Sequence, residues 1–149
     1  MKKITVWILF LLIFFTYPLS AKEKFLSLKK NEVNVRYGPS LDDPIKYIYR
    51  KINLPVKQID KKENWRRIID LKNNSGWIHT SQLREKSNSI IVLKDKILFK
   101  KPSNFSKPIA KLELGRLLII KKCENNWCKI TTGNYSGWIK ADNVWGSIK

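Results

Sequence analysis

The chain is poor in the side chains that usually do chemistry: among 149 residues it has one histidine, two cysteines and one methionine. The lone His79 cannot serve a Ser or Cys nucleophile unless a carboxylate orients it, and nothing local supplies that set. No glycine-rich phosphate loop and no metal-ligand spacing occurs. Asp42, Asp43, Asp60 and Glu63 fall in predicted turns beside lysines and arginines, where solvated roles are the rule. These absences point to a non-catalytic protein with no cofactor and no metal.

Negative charge is scarce as well. Twelve Asp and Glu face 30 Lys and Arg, a formal charge of +18. Such an excess suggests an anionic partner, but its distribution argues otherwise. Residues 22–85 hold 15 basic and 8 acidic groups, and residues 86–149 hold 13 and 4. With no dense basic run interleaved with aromatics, a nucleic-acid groove is not expected. The 24 lysines, 19 isoleucines and 12 asparagines reflect a compositional bias towards A/T-rich codons. Helical periodicity is also missing: no segment keeps a 3.6-residue apolar period for three turns.

What the chain does have is a repeated phrase. Ser75-Gly76-Trp77-Ile78-His79 returns as Ser136-Gly137-Trp138-Ile139-Lys140, and Asn64-Trp65 returns as Asn126-Trp127. Pro39-Ser40 is matched by Pro102-Ser103. A spacing of about 60 residues suits a small domain used twice. Units this small are marginally stable alone, so packing between copies or a covalent staple is expected.

Lys2 and Lys3, the apolar run Ile4 to Tyr17, and Pro18 to Ala21 read as an export signal over residues 1–21. The apolar run is shorter than a spanning helix requires, so the membrane is expected as a partner only through an uncleaved signal. Beyond it lie short alternating segments. In the first copy these are Glu32–Arg36, Ile45–Arg50, Val56–Ile59, Trp65–Leu71 and Gly76–His79. In the second they are Ile97–Phe99, Ile109–Leu112, Leu117–Lys122, Trp127–Thr131 and Gly137–Lys140. Five strands per 60 residues predict an all-β chain of two small barrels. The first domain covers residues 22–84 and the second 90–149, with the polar stretch 85–89 as linker. Gly76 and Gly137 read as tight bends or bulges.

Cys123 and Cys128 flank Glu124-Asn125-Asn126-Trp127. If Asn125-Asn126 is a two-residue turn with positive φ, Glu124 pairs with Trp127 and the cysteines form the next pair. Their Cα atoms then lie roughly 4.5–5.5 Å apart, within disulfide range. A metal site lacks further ligands, and a redox pair wants Cys-x-x-Cys. Lys61 and Arg66 occupy the matching places in the first copy, which predicts a wet hairpin tip.

Glu32-Val33-Asn34-Val35-Arg36-Tyr37-Gly38-Pro39-Ser40, Leu54-Pro55-Val56, Asn64-Trp65-Arg66-Arg67-Ile68 and Gly76-Trp77-Ile78-His79 resemble the bacterial SH3-like (SH3b) domains. More narrowly, the chain resembles exported tandem proteins of that type from alphaproteobacteria. The second copy fits through its cysteine hairpin, Gly137-Trp138-Ile139 and the closing Trp145-Gly146, but departs at Phe99-Lys100-Lys101-Pro102-Ser103. The resemblance implies five-stranded barrels, a periplasmic or secreted location, and peptidoglycan or peptide binding.

Alternation turns Ile68 inward and Trp65 outward with Arg67. The binding groove is therefore expected in the first copy, built from Arg36, Tyr37, Tyr47, Tyr49, Trp65 and Trp77. Arg36 would hold a carboxylate through its planar fork. Against this, Trp65, Trp77 and Trp138 could cement the barrel or cover the seam between copies. Arg36 could equally pair with Asp42 or Asp43, and His79 reads as a wet strand residue. Two functions follow: a peptidoglycan-binding envelope module, or an adaptor that binds another envelope protein. Attachment to anionic lipid through net charge is a weaker third.

Overall fold

Alternating apolar and polar residues put most of the described segments into strands. The computed structural model describes residues 23–148, so the expected export signal lies outside the described residues. The first sheet comprises β1 (Lys24–Leu28), β2 (Val33–Arg36), β3 (Ile45–Tyr49), β4 (Pro55–Lys62), β5 (Trp65–Ile69), β6 (Ser75–His79) and β7 (Leu83–Arg84). The second comprises β8 (Ser89–Val92), β9 (Lys96–Phe99), β10 (Pro108–Leu112), β11 (Leu117–Glu124), β12 (Trp127–Thr132), β13 (Tyr135–Lys140) and β14 (Val144–Gly146). Their orders are β3-β2-β6-β5-β4-β1-β7 and β10-β9-β13-β12-β11-β8-β14, the same path walked twice. No described helix is long and apolar enough to cross a membrane.

Each copy has its own core. Leu26, Leu28, Val33, Val35, Val56, Ile68 and Ile78 are fully buried in the first, and Ile90, Val92, Leu98, Leu118, Ile130 and Ile139 in the second. Among the described residues no layer of helices covers these faces, so each sheet shields its own inner face by curling around it.

Among the described residues there are seven strands per copy where five are predicted, and the four additions have two causes. β1 and β8 are buried on both faces, so neither shows alternation. Leu26 and Leu28 point into the first core and Ile90 and Val92 into the second. The other faces meet the neighbouring copy, where the Phe25 and Trp145 rings stand edge to face at 5.1 Å. β7 and β14 have only two and three residues, too few for any pattern. The stretch expected as linker is also partly built in, since Ser87 and Ser89 are buried and Ser89 opens β8.

Gly76 and Gly137 serve a close crossing rather than a bend. A Cβ at Gly76 would collide with Val35 and sit 3.0 Å from the Arg36 carbonyl; one at Gly137 would sit 2.6 Å from the Phe99 carbonyl. Only glycine lets β6 and β13 approach β2 and β9 this closely.

The cysteine hairpin follows its local rules. Asn125 and Asn126 have φ of 47° and 66°, Glu124 pairs with Trp127, and Cys123 and Cys128 are bonded with Cα atoms 4.1 Å apart. In the first copy Lys61 stands opposite Arg66, as expected. Lys61 to Asn64 are exposed, but Arg66 turns aside, donating from Nη1 to the Glu63 carbonyl at 2.8 Å and facing Glu85. That diversion separates the like charges. Closing a loop this short limits what the disulfide can contribute to about 2 kcal/mol. Serine at both cysteines is therefore expected to lower the melting temperature by roughly 10 °C in circular dichroism. An unchanged melt would place the tip outside the cooperative unit.

Candidate functional site

β2, β6 and β5 lie side by side, with Arg36 opposite Trp77 and Trp77 opposite Arg67. Their chain neighbours Val35, Ile78 and Ile68 are fully buried in the core, so alternation turns Arg36, Trp77 and Arg67 outward in one row. The row floors a cleft of about 250 Å³ lined by Arg36, Tyr37, Lys46, Arg67, Ser75, Gly76 and Trp77. Lys46 reaches across from edge strand β3, donating from Nζ to the Ser75 carbonyl at 2.8 Å and lying 5.6 Å from the Tyr37 ring centre. Arg36 does reach Asp43, but through its carbonyl, to which Nη1 donates at 2.6 Å. The Asp43 carboxylate instead packs against Gly38. Three cations thus surround a half-buried indole, and no carboxylate lines the cleft.

Three of the six groove residues expected from sequence meet here: Arg36, Tyr37 and Trp77. Tyr47 and Tyr49 do not. They face Val35 and Val33 across β2 and β3 and pack against the core. Their hydroxyls lie 3.3 Å apart, and the Tyr49 hydroxyl donates to Asp70 Oδ2 at 3.0 Å. Asp70 is buried and ties the turn after β5 by accepting from the Lys72 and Asn74 backbone at 2.8 and 2.9 Å. Trp65 is also outside the cleft: it is 8% exposed, with its ring edge to face against His79 at 5.2 Å. The outward face of β5 is therefore covered at Trp65 and open at Arg67. His79 is half-buried rather than wet, its Nδ1 2.9 Å from the Ser81 hydroxyl.

Burial above all, then the Tyr47 hydroxyl and Asp70, hold the Tyr49 hydroxyl far above its ordinary value of 10.0. In the unfolded chain Tyr49 ionises near that ordinary value. Its contribution to stability is thus whole below about pH 10 and is lost as pH rises beyond it. Melts at pH values on either side of 10 are expected to show a steeper alkaline loss for the unaltered protein than for Tyr49→Phe. Parallel curves would remove Tyr49 from the network.

Lys46 and Arg67 belong to the site but carry no motif. For Arg67 the signal is register, since it stands opposite Trp77, which stands opposite Arg36. Lys46 falls at the bulge between the Ile45 and Tyr47 pairs and has no such signal. The corresponding row of the second copy is Phe99, Trp138, Lys129 and Lys122. There the aromatic surface is covered. Trp138 is 8% exposed with Lys122 Nζ 5.1 Å above its ring, and Phe99 packs edge to face on Trp127 at 5.7 Å. Trp138 is thus cement, whereas the aromatic at the seam is Trp145, held by Phe25 and by Lys57 Nζ at 5.5 Å. Among the described residues no cluster of His, Cys, Asp or Glu could hold a metal ion.

Comparison with known proteins adds a family. No curated protein matches the chain. Among solved structures it is similar to NlpC2 from Trichomonas vaginalis, at 15% identity and a TM-score of 0.39, covering 84% of this chain and 48% of that one. It is similar also to NlpC1 from Trichomonas vaginalis, at 14% identity and a TM-score of 0.39, covering 88% and 48%. The chain spans about half the length of each. Two segments, residues 29–85 and 95–146, match the family described as Bacterial SH3 domain. Each segment falls on one of the two sheets of identical strand order, and the chain therefore belongs to the bacterial SH3 domain family, carrying that domain twice in tandem.

Proposed function

We propose that the protein is a non-catalytic binding module of the cell envelope, and that its first-copy cleft takes the carboxylate-bearing stem peptides of peptidoglycan. One observation carries this reading: Arg36, Lys46 and Arg67 surround the half-buried Trp77 with no acidic group in the lining. Such a slot favours an anionic ligand with an apolar or glycan face to lay on the indole. Family membership supports a wall-associated role at a coarse level. The Cys123–Cys128 bond supports a place outside the cytoplasm, in the periplasm or beyond, because thiols there stay oxidised.

Retention on purified sacculi tests the reading. Trp77→Ala is expected to weaken it about tenfold, the cost of one well-used aromatic contact. Equal retention of the variant and the unaltered protein would sink the proposal. A protein partner is the second reading, favoured by the exposed Ile45 and Ile48 on edge strand β3. Cross-linking in cells that recovers wall fragments and no protein would count against it.

A further inference from the structure

The loop between β9 and β10 carries the most exposed large apolar side chain of the described residues, Phe105, at 100%. The backbone under it is pinned. The Lys100 amide donates to the Lys107 carbonyl at 2.9 Å, closing the loop, and the Lys101 amide donates to the Ser106 hydroxyl at 2.8 Å. The Ser106 amide donates to the Ser103 carbonyl at 3.1 Å, and the Phe105 amide to the Ser103 hydroxyl at 3.2 Å. A phenyl ring is thus held out in water by a loop that is itself well made.

Comparison between the copies sharpens the point. The matching first-copy loop, Tyr37 to Pro44, contains Asp42 and Asp43 and no cation. The second-copy loop contains Lys100, Lys101 and Lys107, and no acidic residue occurs between Asp95 and Glu113. None of these three lysines forms an ion pair among the described residues. Two further apolar side chains, Ile97 and Ile109, are 41% and 40% exposed on the same hairpin, whose strand β10 is a sheet edge.

We propose that the Lys100–Lys107 loop docks on an anionic phospholipid surface, with the Phe105 ring entering below the headgroups and the lysines meeting their charge. A lone projecting ring among unpaired cations suits a soft anionic layer, which yields to it anywhere. A protein partner would need a pocket shaped for that ring. The reading is independent of the first-copy cleft, since it uses no residue of it.

The test is flotation of the chain from residue 22, which contains both sheets and both cores entire, with vesicles. Vesicles containing phosphatidylglycerol are expected to carry the protein and pure phosphatidylcholine vesicles to leave it behind. Phe105→Ala should weaken binding about tenfold, the loss of one apolar insertion. Because that ring packs on nothing, the variant keeps its fold, which a melt verifies. Glutamine at Lys100, Lys101 and Lys107 should weaken binding by roughly fivefold for each position changed. Equal binding to both vesicle types, or Phe105→Ala binding as tightly as the unaltered protein, overturns the proposal. So would an envelope protein captured through Phe105 in the absence of vesicle binding, which assigns the loop to a protein partner.

Discussion

Alanine at both Arg36 and Arg67 is expected to lower retention on purified peptidoglycan by at least about a hundredfold, while the melting curve shifts little. Each guanidinium that meets a carboxylate contributes roughly 1.5–3 kcal/mol, so losing two removes most of the expected affinity. The two arginines stand on either side of Trp77 in adjacent strands, where a ligand lying on the indole touches both. Arg67 is exposed, so its truncation leaves no buried group behind. Arg36 also binds the Asp43 carbonyl, and its loss loosens the loop after β2. Arg36→Lys separates the two effects: it keeps the charge but not the fork, and should recover only part of the binding. Retention of the double variant at the unaltered level would show that the cleft is not the site.

Ile68→Ala is expected to be the most destabilising single change in the first copy. Ile68 is fully buried in the core of β1, β2, β4, β5, β6 and β7. It faces Gly76, which has no side chain of its own to relax into the gap and is closely covered by Val35. Such truncations cost about 2–5 kcal/mol. A unit of this size has on the order of 3–9 kcal/mol in all. The melting temperature should fall by roughly 10 °C or more, with Ile130→Ala, its counterpart opposite Gly137, doing the same to the second copy. An unshifted melt for either would mean that the core is not where these strands place it.

How much could be read beforehand depended on the distance along the chain over which a contact is decided. The turn, pairing and disulfide of the cysteine hairpin were legible, because a two-residue turn sets its own register and asparagine accepts the positive φ. The cysteine Cα atoms nevertheless lie closer, at 4.1 Å, than the open-pair spacing expected. The inward turn of Ile68 was legible from alternation alone. Alternation also puts Trp65 and Arg67 on one face, yet one is covered by His79 and the other is open. The tyrosines misled for a similar reason: Tyr47 and Tyr49 are amphipathic, and their hydroxyls are satisfied by each other and by a buried Asp70 some twenty residues away. β1 and β8 could not be read from alternation because a seam buries the face that should have been polar.

The amino-acid order by itself determined the duplication, the β class, ten of the fourteen described strands and the covalent hairpin, all of them short-range or self-similar properties. Only the tertiary structure decided which tryptophan is a surface and which is cement. Trp77 and Trp138 sit in the same phrase, but an indole's exposure depends on what the next strand sets beside it. Arg36 and Arg67 flank the first and leave it open, while Lys122 lies over the second.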